Sequence, residues 1–185
     1  MNIKNIFENT NLVSLDFNNK AALNIILKIR NEKKVRENMI NHDLISEKEH
    51  FRWTQEQKFN KDKKIYLILY KEKIQGSAIL NLCDNKNSWA FYISEKTQKG
   101  VGACVEFIFL DKYFSEHSFS SIFCEVLSFN IPVLNLHSKF GFKEIDTKIQ
   151  FLKRKSLFHN LICLKLNRQD WLKEKEVISK KLRLV

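Results

Sequence analysis

The chain has 185 residues, 44% of them hydrophobic, and this composition predicts a single domain over residues 1–185 with a buried core. No apolar run reaches the roughly eighteen residues that a membrane span needs, and the mixed residues 1–16 do not form a secretory signal, so we expect a cytoplasmic protein. The formal net charge of +11 favours an anionic partner, which nucleic acid, anionic lipid and phosphorylated small molecules would all satisfy.

The cysteine pattern argues against a metal site. The four cysteines lie far apart without a Cys-x-x-Cys pair, and three of them sit inside apolar segments. Such residues are typical of buried free thiols in a reducing compartment, and the spacing of zinc ligands is missing. The cysteines are Cys83, Cys104, Cys124 and Cys163.

Hydrophobic periodicity predicts strands and helices in alternation over the first half of the chain. Ser46, with Glu49 three residues later, forms a capping box at the start of a helix. The predicted elements are a strand at 11–16, a helix at 19–30, a helix from Ser46 to about Phe59, a hairpin formed by strands 64–71 and 74–83, and a strand at 88–93.

The second half continues in the same manner. Pro132 opens a helix, where its missing N–H is harmless, and Gly141 follows the end of that helix. The predicted elements are a helix at 103–114, a strand at 121–129, a helix from 132 to before 141, strands at about 143–153 and 157–166, and a helix at about 168–182. Helices that interrupt a mostly antiparallel sheet define an α+β fold.

A glycine-containing loop lies between the strand at 88–93 and the apolar helix. Its sequence is Thr97-Gln-Lys-Gly-Val-Gly-Ala103. Glycine allows close approach of the backbone to a ligand, and a helix N-terminus offers unpaired N–H groups to an anion. The spacing matches neither the dinucleotide fingerprint nor the P-loop. By itself the segment fits a phosphate-binding loop or a plain loop that starts a helix.

A second motif follows about thirty residues later. Its residues are Asn130, His137 and Gly141-Phe142, which lie before, within and after the helix that Pro132 opens. Together the two segments resemble the GNAT acetyltransferase family, in which the glycine loop binds the pyrophosphate of CoA and an Asn precedes a Tyr by seven residues. Thr97 stands where the family usually has Arg or Gln. The predicted elements follow the family's order over nearly the whole chain.

The resemblance implies a mostly antiparallel twisted sheet with helices on both faces and CoA in a V between two splayed central strands. It implies acetyl-CoA as co-substrate and no metal. Backbone N–H groups of residues 91–93 would stabilise the oxyanion. The residues that it assigns to CoA binding are Phe91, Tyr92, Ile93, Lys99, Gly100, Val101, Gly102, Ala103, Cys104, Asn130 and Lys139.

His137 occupies the position where the family usually has a Tyr that protonates the departing CoA thiolate. A His with a pKa of about 6.5 can protonate a thiolate whose conjugate thiol has a pKa of about 8.5. The resemblance therefore implies that His137 is the general acid. The alternative is a His that packs in the cleft and transfers no proton.

Residues of the first two long predicted helices indicate the class of substrate. Arg30, His50 and Trp53 match positions of the sugar-nucleotide N-acetyltransferases of pseudaminic acid biosynthesis, which the segment 160–171 also resembles. There an Arg and a His reach the diphosphate and an aromatic residue packs on the nucleotide, which suits a guanidinium and an imidazole. The alternative is an exposed Arg, a His at a helix start and a core Trp.

This resemblance implies a substrate and a pathway. The acceptor would be the 4-amino group of a UDP-linked 4-amino-4,6-dideoxy-N-acetyl sugar, made for flagellin or surface glycosylation. Asn81, on the third strand, would face the sugar.

Glu125 is a carboxylate inside the apolar strand at 121–129, where Glu is unfavourable without a partner or a task. The resemblance assigns it the role of base, acting through water on the amine. The alternative is that strand alternation turns its side chain toward solvent.

Three other functions stay open at this point. A different GNAT enzyme, acting on a protein N-terminus, an antibiotic amine or another nucleotide sugar, would not need Arg30, His50 and Trp53. A basic nucleic-acid-binding module would explain the charge and the Lys153-Arg154-Lys155 cluster, although no RNA-binding aromatic signature or helix-turn-helix spacing is present. An inactive GNAT fold would explain the missing Tyr. A monomer and a homodimer are both compatible with the sequence.

Overall fold

The computed structural model describes residues 2–83, 86–154 and 156–183. Its elements in chain order are α1 (Ile3–Glu8), β1 (Thr10–Ser14), α2 (Lys20–Arg30), α3 (Lys33–Glu37), α4 (Glu47–Lys58), β2 (Lys63–Tyr70), β3 (Lys73–Asn81), β4 (Ser88–Ile93), α5 (Val101–Glu116), β5 (Ser121–Leu127), α6 (Ile131–Lys139), β6 (Lys143–Arg154), β7 (Leu157–Asn167) and α7 (Arg168–Leu182).

The strands form one sheet in the order β1-β2-β3-β4-β5-β7-β6. Every neighbouring pair is antiparallel except β4 and β5, which run parallel. This is the mostly antiparallel sheet that the sequence predicts.

Helices cover both faces of the sheet, and β2 shows why. Ile65 and Leu67 pack with residues of α2, whereas Tyr66 and Ile68 belong to the core that contains α5 and α7. Because side chains alternate across a strand, a strand that is apolar at successive positions must be buried on two sides. The predicted arrangement with helices on both faces is confirmed.

The central helix is α5, whose buried positions extend around its whole circumference. A helix of this kind lies inside the protein rather than on its surface. The helix begins directly after Gly100, whose φ of 100° lies in the left-handed region that glycine adopts without strain. Gly100 therefore lets the chain turn sharply from the end of β4 into α5.

The two central strands separate as they run forward. The parallel pair β4–β5 has one register pair, Ser88 with Phe123, and the Phe123 N–H donates to the Asn87 carbonyl at 2.9 Å. Beyond that point β4 pairs only with β3 and β5 only with β7 within the described residues. The strands therefore diverge toward Ile93 and Leu127, and this is the predicted V.

The position of β4 depends on a close approach at Gly76 of β3. A Cβ atom added to Gly76 would lie 1.9 Å from the carbonyl oxygen of Tyr92 and 2.9 Å from the Cα of Ile93. Any larger residue must therefore displace the C-terminal half of β4, which forms one arm of the V.

Two helices were missed by the sequence analysis. They are α1, with 6 residues, and α3, with 5 residues, and both are shorter than the window over which helical periodicity can be recognised. Helices this short depend on local capping and tertiary contacts, such as the bond from the Asn5 N–H to the Asn2 side chain.

Two further findings concern the described residues as a whole. None of their helices is long and apolar enough to cross a membrane. Cys104, Cys124 and Cys163 are buried free thiols, as expected, and Cys83 is exposed.

Candidate active site

A cavity of about 730 Å³ occupies the V between β4 and β5. The strand ends form two of its walls, and the first residues of α5 and the inner face of α6 form the others. Residues from each of these elements reach it, including Phe91, Gly102, Leu127 and His137.

The start of α5 is suited to bind an anion. The amides of Gly102 and Ala103 belong to its first turn, where no carbonyl within the helix can accept them. Gly102 lines the cavity, and a Cβ atom there would lie 3.7 Å from Ile93 Cδ1, so the glycine leaves this wall open. Exposed amides at the positive end of a helix are the usual site for a pyrophosphate.

Two peptide groups of β4 face into the V. On one side of β4, the Ser94 N–H donates to the Gln75 carbonyl of β3 at 2.7 Å, and on the other side the Asn87 carbonyl accepts from Phe123. Because alternate residues of a strand direct their peptide groups to the same neighbour, the N–H groups of Phe91 and Ile93 point toward the gap. They are therefore available to a ligand oxygen, as the sequence interpretation requires.

The structure separates the predicted CoA residues into three groups. Val101 and Cys104 are fully buried, and Ala103 packs against the core, so these three can offer only their backbone. Lys139 is exposed and does not line the cavity. It lies about 200° around α6 from His137, since each helical residue turns the chain by about 100°. Those that line the cavity are Phe91, Tyr92, Ile93, Lys99, Gly100, Gly102 and Asn130.

His137 is buried and bound to a carboxylate that the sequence analysis did not identify. Its Nδ1 lies 2.7 Å from Oε1 of Glu106, and the exposed fractions of the two side chains are 5% and 0%. The ring also packs against Trp89 and Phe142 at centroid distances of 6.0 Å and 5.0 Å. Since Nδ1 is bound to Glu106, Nε2 is the nitrogen left for the cavity that His137 lines.

A signal for Glu106 was present in the sequence. It is the single charged residue between Val101 and Leu110, a stretch of α5 whose other side chains are apolar. A carboxylate in such an apolar stretch is unfavourable unless it has a partner or a task. The same reasoning was applied to Glu125 in its strand but not to this helix.

Glu125 lies at the edge of the cavity and is partly open to solvent. Its side chain is 37% exposed, and its Oε1 accepts a hydrogen bond from Lys148 Nζ at 2.8 Å. The alternation of β5 exposes the carboxylate, and its position brings it to the cavity wall, so its role as a base stays a prediction.

A second cavity of about 380 Å³ adjoins the first, and Arg30, Asn41 and Tyr92 line both. It lies between α2, α4 and the loop of residues 38–46, which connects α3 to α4. His50 and Trp53 lie on its α4 side.

Arg30 stands at this shared wall with unused hydrogen-bonding capacity. Its Nη2 donates to the Asn41 carbonyl at 2.7 Å, whereas its buried Nη1 has no partner among the described residues. None of the ion pairs that the described residues form includes Arg30. A half-buried guanidinium with a free donor and no carboxylate beside it is suited to bind an anionic ligand.

Side chains from outside the 38–46 loop fix its backbone. The amide of Asn31 both donates to and accepts from the backbone of Ile45, at 2.8 Å and 2.9 Å. Arg36 donates to the His42 carbonyl at 2.6 Å, and Arg154 donates to carbonyls of residues 37, 39 and 40. Arg154, in the basic cluster considered for nucleic acid, therefore has a structural role, and Lys155 lies outside the described residues.

His50 and Trp53 stack on one another, with ring centroids 5.4 Å apart and 21° between planes. Nε2 of His50 lies 3.1 Å from the Leu23 carbonyl, which can only accept, so Nε2 carries the proton. Burial lowers the pKa of His50, which favours the neutral ring. Nδ1 is then an acceptor, which differs from the phosphate donor that the sequence interpretation assigned.

Asn81 lies away from both cavities. Its Nδ2 donates to Ser88 Oγ at 3.3 Å, and the antiparallel register of β3 and β4 pairs these two residues. The V is closed at this end, so Asn81 cannot face a ligand there. The sequence analysis placed it by strand assignment alone, which does not reveal the register.

The fold and the site together define an enzyme that transfers an acyl group from CoA. The family model of the acetyltransferase (GNAT) domain matches residues 17–157. The chain belongs to the GNAT acetyltransferase family, and it is an N-acetyltransferase with acetyl-CoA as co-substrate. No curated protein sequence matches the chain significantly.

Solved structures share the fold at low sequence identity. The spermidine N-acetyltransferase of Vibrio cholerae, in complex with CoA and spermine, superposes with a TM-score of 0.80 at 14% identity, covering 89% of this chain and 99% of that one. The protein smu.2055 of Streptococcus mutans UA159 gives 0.70 at 17% identity over 85% and 99%. An N-acetyltransferase of Staphylococcus aureus Mu50 gives 0.69 at 13% identity over 86% and 99%.

Proposed function

We propose that the chain acetylates the 4-amino group of a UDP-linked 4-amino-4,6-dideoxy-N-acetyl sugar in pseudaminic acid biosynthesis. The observation that carries this proposal is the half-buried guanidinium of Arg30 at the wall between the two cavities, whose buried Nη1 has no partner among the described residues and which forms no ion pair with them. A buried cation without a partner is costly, and an anion bound beside it removes that cost. The diphosphate of a nucleotide sugar is such an anion.

The second cavity provides complementary contacts for the nucleoside. The stacked rings of His50 and Trp53 offer an aromatic surface to a base. Nδ1 of His50 would accept a hydrogen bond, and uridine offers the N3–H of its base and its ribose hydroxyls as donors. With the diphosphate at Arg30, the sugar would extend into the first cavity.

The first cavity provides the groups that acyl transfer needs. Acetyl-CoA supplies an acetyl thioester there, and the amides of Phe91 and Ile93 would stabilise negative charge on its carbonyl oxygen. Glu125, through a water, would accept the proton that the amine loses. Nε2 of His137 would donate a proton to the sulfur.

A polyamine is a second candidate acceptor, since Asp43 and Glu49 also line the second cavity and the Vibrio cholerae neighbour binds spermine. However, Glu49 already accepts hydrogen bonds from the N–H and hydroxyl of Ser46 in the capping box. A polyamine would also bring positive charge next to Arg30 in a chain of net charge +11. The charges therefore favour the nucleotide sugar.

The test is a comparison of acceptors at fixed acetyl-CoA. UDP-4-amino-4,6-dideoxy-N-acetyl-β-L-altrosamine, spermidine and a peptide with a free N-terminus would be assayed by thiol release. UDP alone would be added in a thermal-shift assay, because a ligand that binds the folded state raises its melting temperature. We expect turnover of the sugar and a shift with UDP. Turnover of spermidine or peptide without either effect contradicts the proposal.

A further inference from the structure

Glu106 is a carboxylate in the interior of the protein, on the central helix α5. It is fully buried, and its Oε1 lies 2.7 Å from Nδ1 of His137 on α6. Its other oxygen, Oε2, has no partner among the described residues. Burying a carboxylate in this way is unfavourable unless its partner is strongly bound. The hydrogen bond to His137 is therefore the interaction that offsets the burial of Glu106, and it links Glu106 to the proposed general acid.

We propose that Glu106 is the positioning residue of His137 and keeps its proton on Nε2, the nitrogen that the cavity can reach. The inference rests on one part of the proposed function, the donation of a proton by His137. It does not depend on which amine accepts the acetyl group.

The number of protons that Glu106 and His137 hold together explains why Nε2 of His137 stays protonated. With two protons the pair is neutral overall, either as carboxylate with imidazolium or as carboxylic acid with imidazole. In both arrangements one proton lies between Oε1 and Nδ1, and the other is on Nε2. A buried site favours this neutral pair over an anionic pair that has only one proton.

Proton transfer in the acetyl transfer step then balances. The amine nitrogen forms a bond to the acetyl carbon and loses a proton through a water to Glu125, which passes it on to solvent, while the carbon–sulfur bond breaks and the sulfur takes the proton of Nε2. The pair is left with its single proton between Nδ1 and Oε1 and with one negative charge. A proton from solvent restores the neutral pair for the next turnover.

The groups around Glu106 and His137 are uncharged or face away, so the charges of these two residues must balance each other. Burial raises the pKa of Glu106. From β5, the Cys124 thiol faces the pair, and burial raises its pKa well above the usual value, so it is uncharged at neutral pH. Glu125 and Cys163 lie on the far side of Cys124, and the rings of Trp89 and Phe142 are neutral. No lysine or arginine of the described residues pairs with Glu106.

The first test is Glu106→Gln, which preserves shape and removes the charge. Without this counter-charge a buried imidazolium is unfavourable, and a neutral ring, whichever nitrogen carries its single proton, cannot release that proton to the thiolate. We expect kcat at pH 8 to fall by at least about tenfold and at most by the roughly 10²–10⁴-fold that a positioned proton donor contributes. The deficit should shrink toward pH 6, with the KM for acetyl-CoA within about twofold of the wild-type value. A kcat–pH profile parallel to that of the wild type contradicts the inference.

Two controls separate positioning from structural damage. Glu116→Gln makes the same chemical change on the same helix, at an exposed ion pair with Lys112, and should leave the pH profile unchanged. In a His137→Tyr background the phenol has no second nitrogen to orient, so adding Glu106→Gln should then have little effect on the pH profile. An equal, pH-independent loss in both backgrounds indicates a purely structural role and overturns the inference.

A spectroscopic measurement needs no acceptor and is therefore independent of the proposed sugar. The full chain with ¹⁵N-labelled imidazoles has 5 histidines, and His137→Tyr identifies the signals of His137. We expect a proton on Nε2 of His137 in the wild type at pH 7. A bare Nε2 in the wild type at pH 7 shows that the inference is wrong. If these results hold but the sugar is not acetylated, only the acceptor proposal fails.

Discussion

The two cavities that meet at Arg30 are built in different ways. Regular elements form the first cavity, where we propose that CoA binds, with β4, β5, α5 and α6 each contributing an end or a face. The second cavity is formed in large part by the 38–46 loop, which Arg36, Asn31 and Arg154 fix through its backbone carbonyls and amides. The proposed acyl-transfer groups thus lie on strands and helices, while the proposed acceptor site depends on a loop that side chains stabilise.

This difference has a consequence for mutation. A change in the first cavity acts directly on CoA or on the reacting atoms, because its backbone positions are set by the sheet. A change around the second cavity acts on the ligand, on the loop, or on both. Experiments that separate the two cavities must therefore include controls for the loop.

The largest effect is expected for His137→Ala in the first cavity. Loss of a general acid typically reduces kcat by about 10²–10⁴-fold, with little change in the KM of either substrate. His137→Tyr should restore part of the activity, since Tyr serves as the acid in most relatives. Measurements of kcat from pH 6 to 9.5 check this. Wild-type turnover of His137→Ala over that range would show that another group protonates the thiolate.

The carboxylates of this cavity show what the sequence could reveal. The glycine loop, Asn130 and His137 were found because local motifs define them, and they line the cavity. Glu125 was noticed because its strand is apolar, yet it is the exposed one, whereas Glu106 is buried against His137. Which side of an element faces the core depends on tertiary packing, so a carboxylate in an apolar segment can be noticed from sequence but its burial cannot.

The next effect should be confined to acetyl-CoA. Gly102→Val places a branched side chain at the start of α5, where the open wall exposes the first amides to the cavity. A hydrogen bond to a charged group contributes about 1.5–3 kcal/mol, so we expect acetyl-CoA to bind about a hundredfold more weakly. Isothermal titration measures this directly, and UDP binding serves as the internal control. Unchanged acetyl-CoA affinity in a folded variant would exclude the pyrophosphate from this position.

Arg30→Ala should weaken binding of the UDP-sugar and leave binding of acetyl-CoA unchanged. Its guanidinium would lose the diphosphate, which corresponds to about tenfold to a hundredfold in the KM for the UDP-sugar. The affinity for acetyl-CoA should stay the same. An equal loss for both substrates would indicate damage to the wall that the cavities share.

The matched control for Arg30 is Arg36→Ala. Arg36 also donates to a loop carbonyl, that of His42, but it lines neither cavity. If it raises the KM for the UDP-sugar as much as Arg30→Ala does, the loop and not the guanidinium determines binding. Melting temperatures of the two variants report how far each one destabilises the fold.

The second cavity also marks the limit of prediction from sequence. Arg30, His50 and Trp53 do come together, and Arg30 has the capacity for an anion. The contacts of Arg154 with residues 37, 39 and 40 join positions more than a hundred residues apart, and no local pattern shows them. The bond between His50 and the Leu23 carbonyl is of the same kind, and it reverses the role inferred for this His.

The smallest effect, and the one that tests this reversal, concerns His50. Gln at this position can replace Nε2 and still donate to the Leu23 carbonyl, whereas Asn places its oxygen near Nδ1 and still accepts from a ligand. Both substitutions lose the stacking on Trp53, so they form a matched pair. We expect His50→Gln to raise the KM for the UDP-sugar about two- to tenfold more than His50→Asn, which is the contribution of one hydrogen bond.

The pH dependence of the wild type distinguishes the two roles of His50 without mutation. Since burial lowers the pKa of His50, the ring is neutral above its usual pKa of about 6.5 and gains a proton only at lower pH. Protonation converts Nδ1 from acceptor to donor, so an acceptor role predicts that the KM for the UDP-sugar is constant from pH 8.5 to 6.5 and rises below. If His50 instead binds the phosphate as a cation, the KM for the UDP-sugar should fall on acidification. Two variants serve as controls over the same pH range. The KM of Arg30→Ala for the UDP-sugar shows whether its pH dependence comes from binding of the diphosphate. If the KM of His50→Gln still falls on acidification, a group other than His50 is responsible.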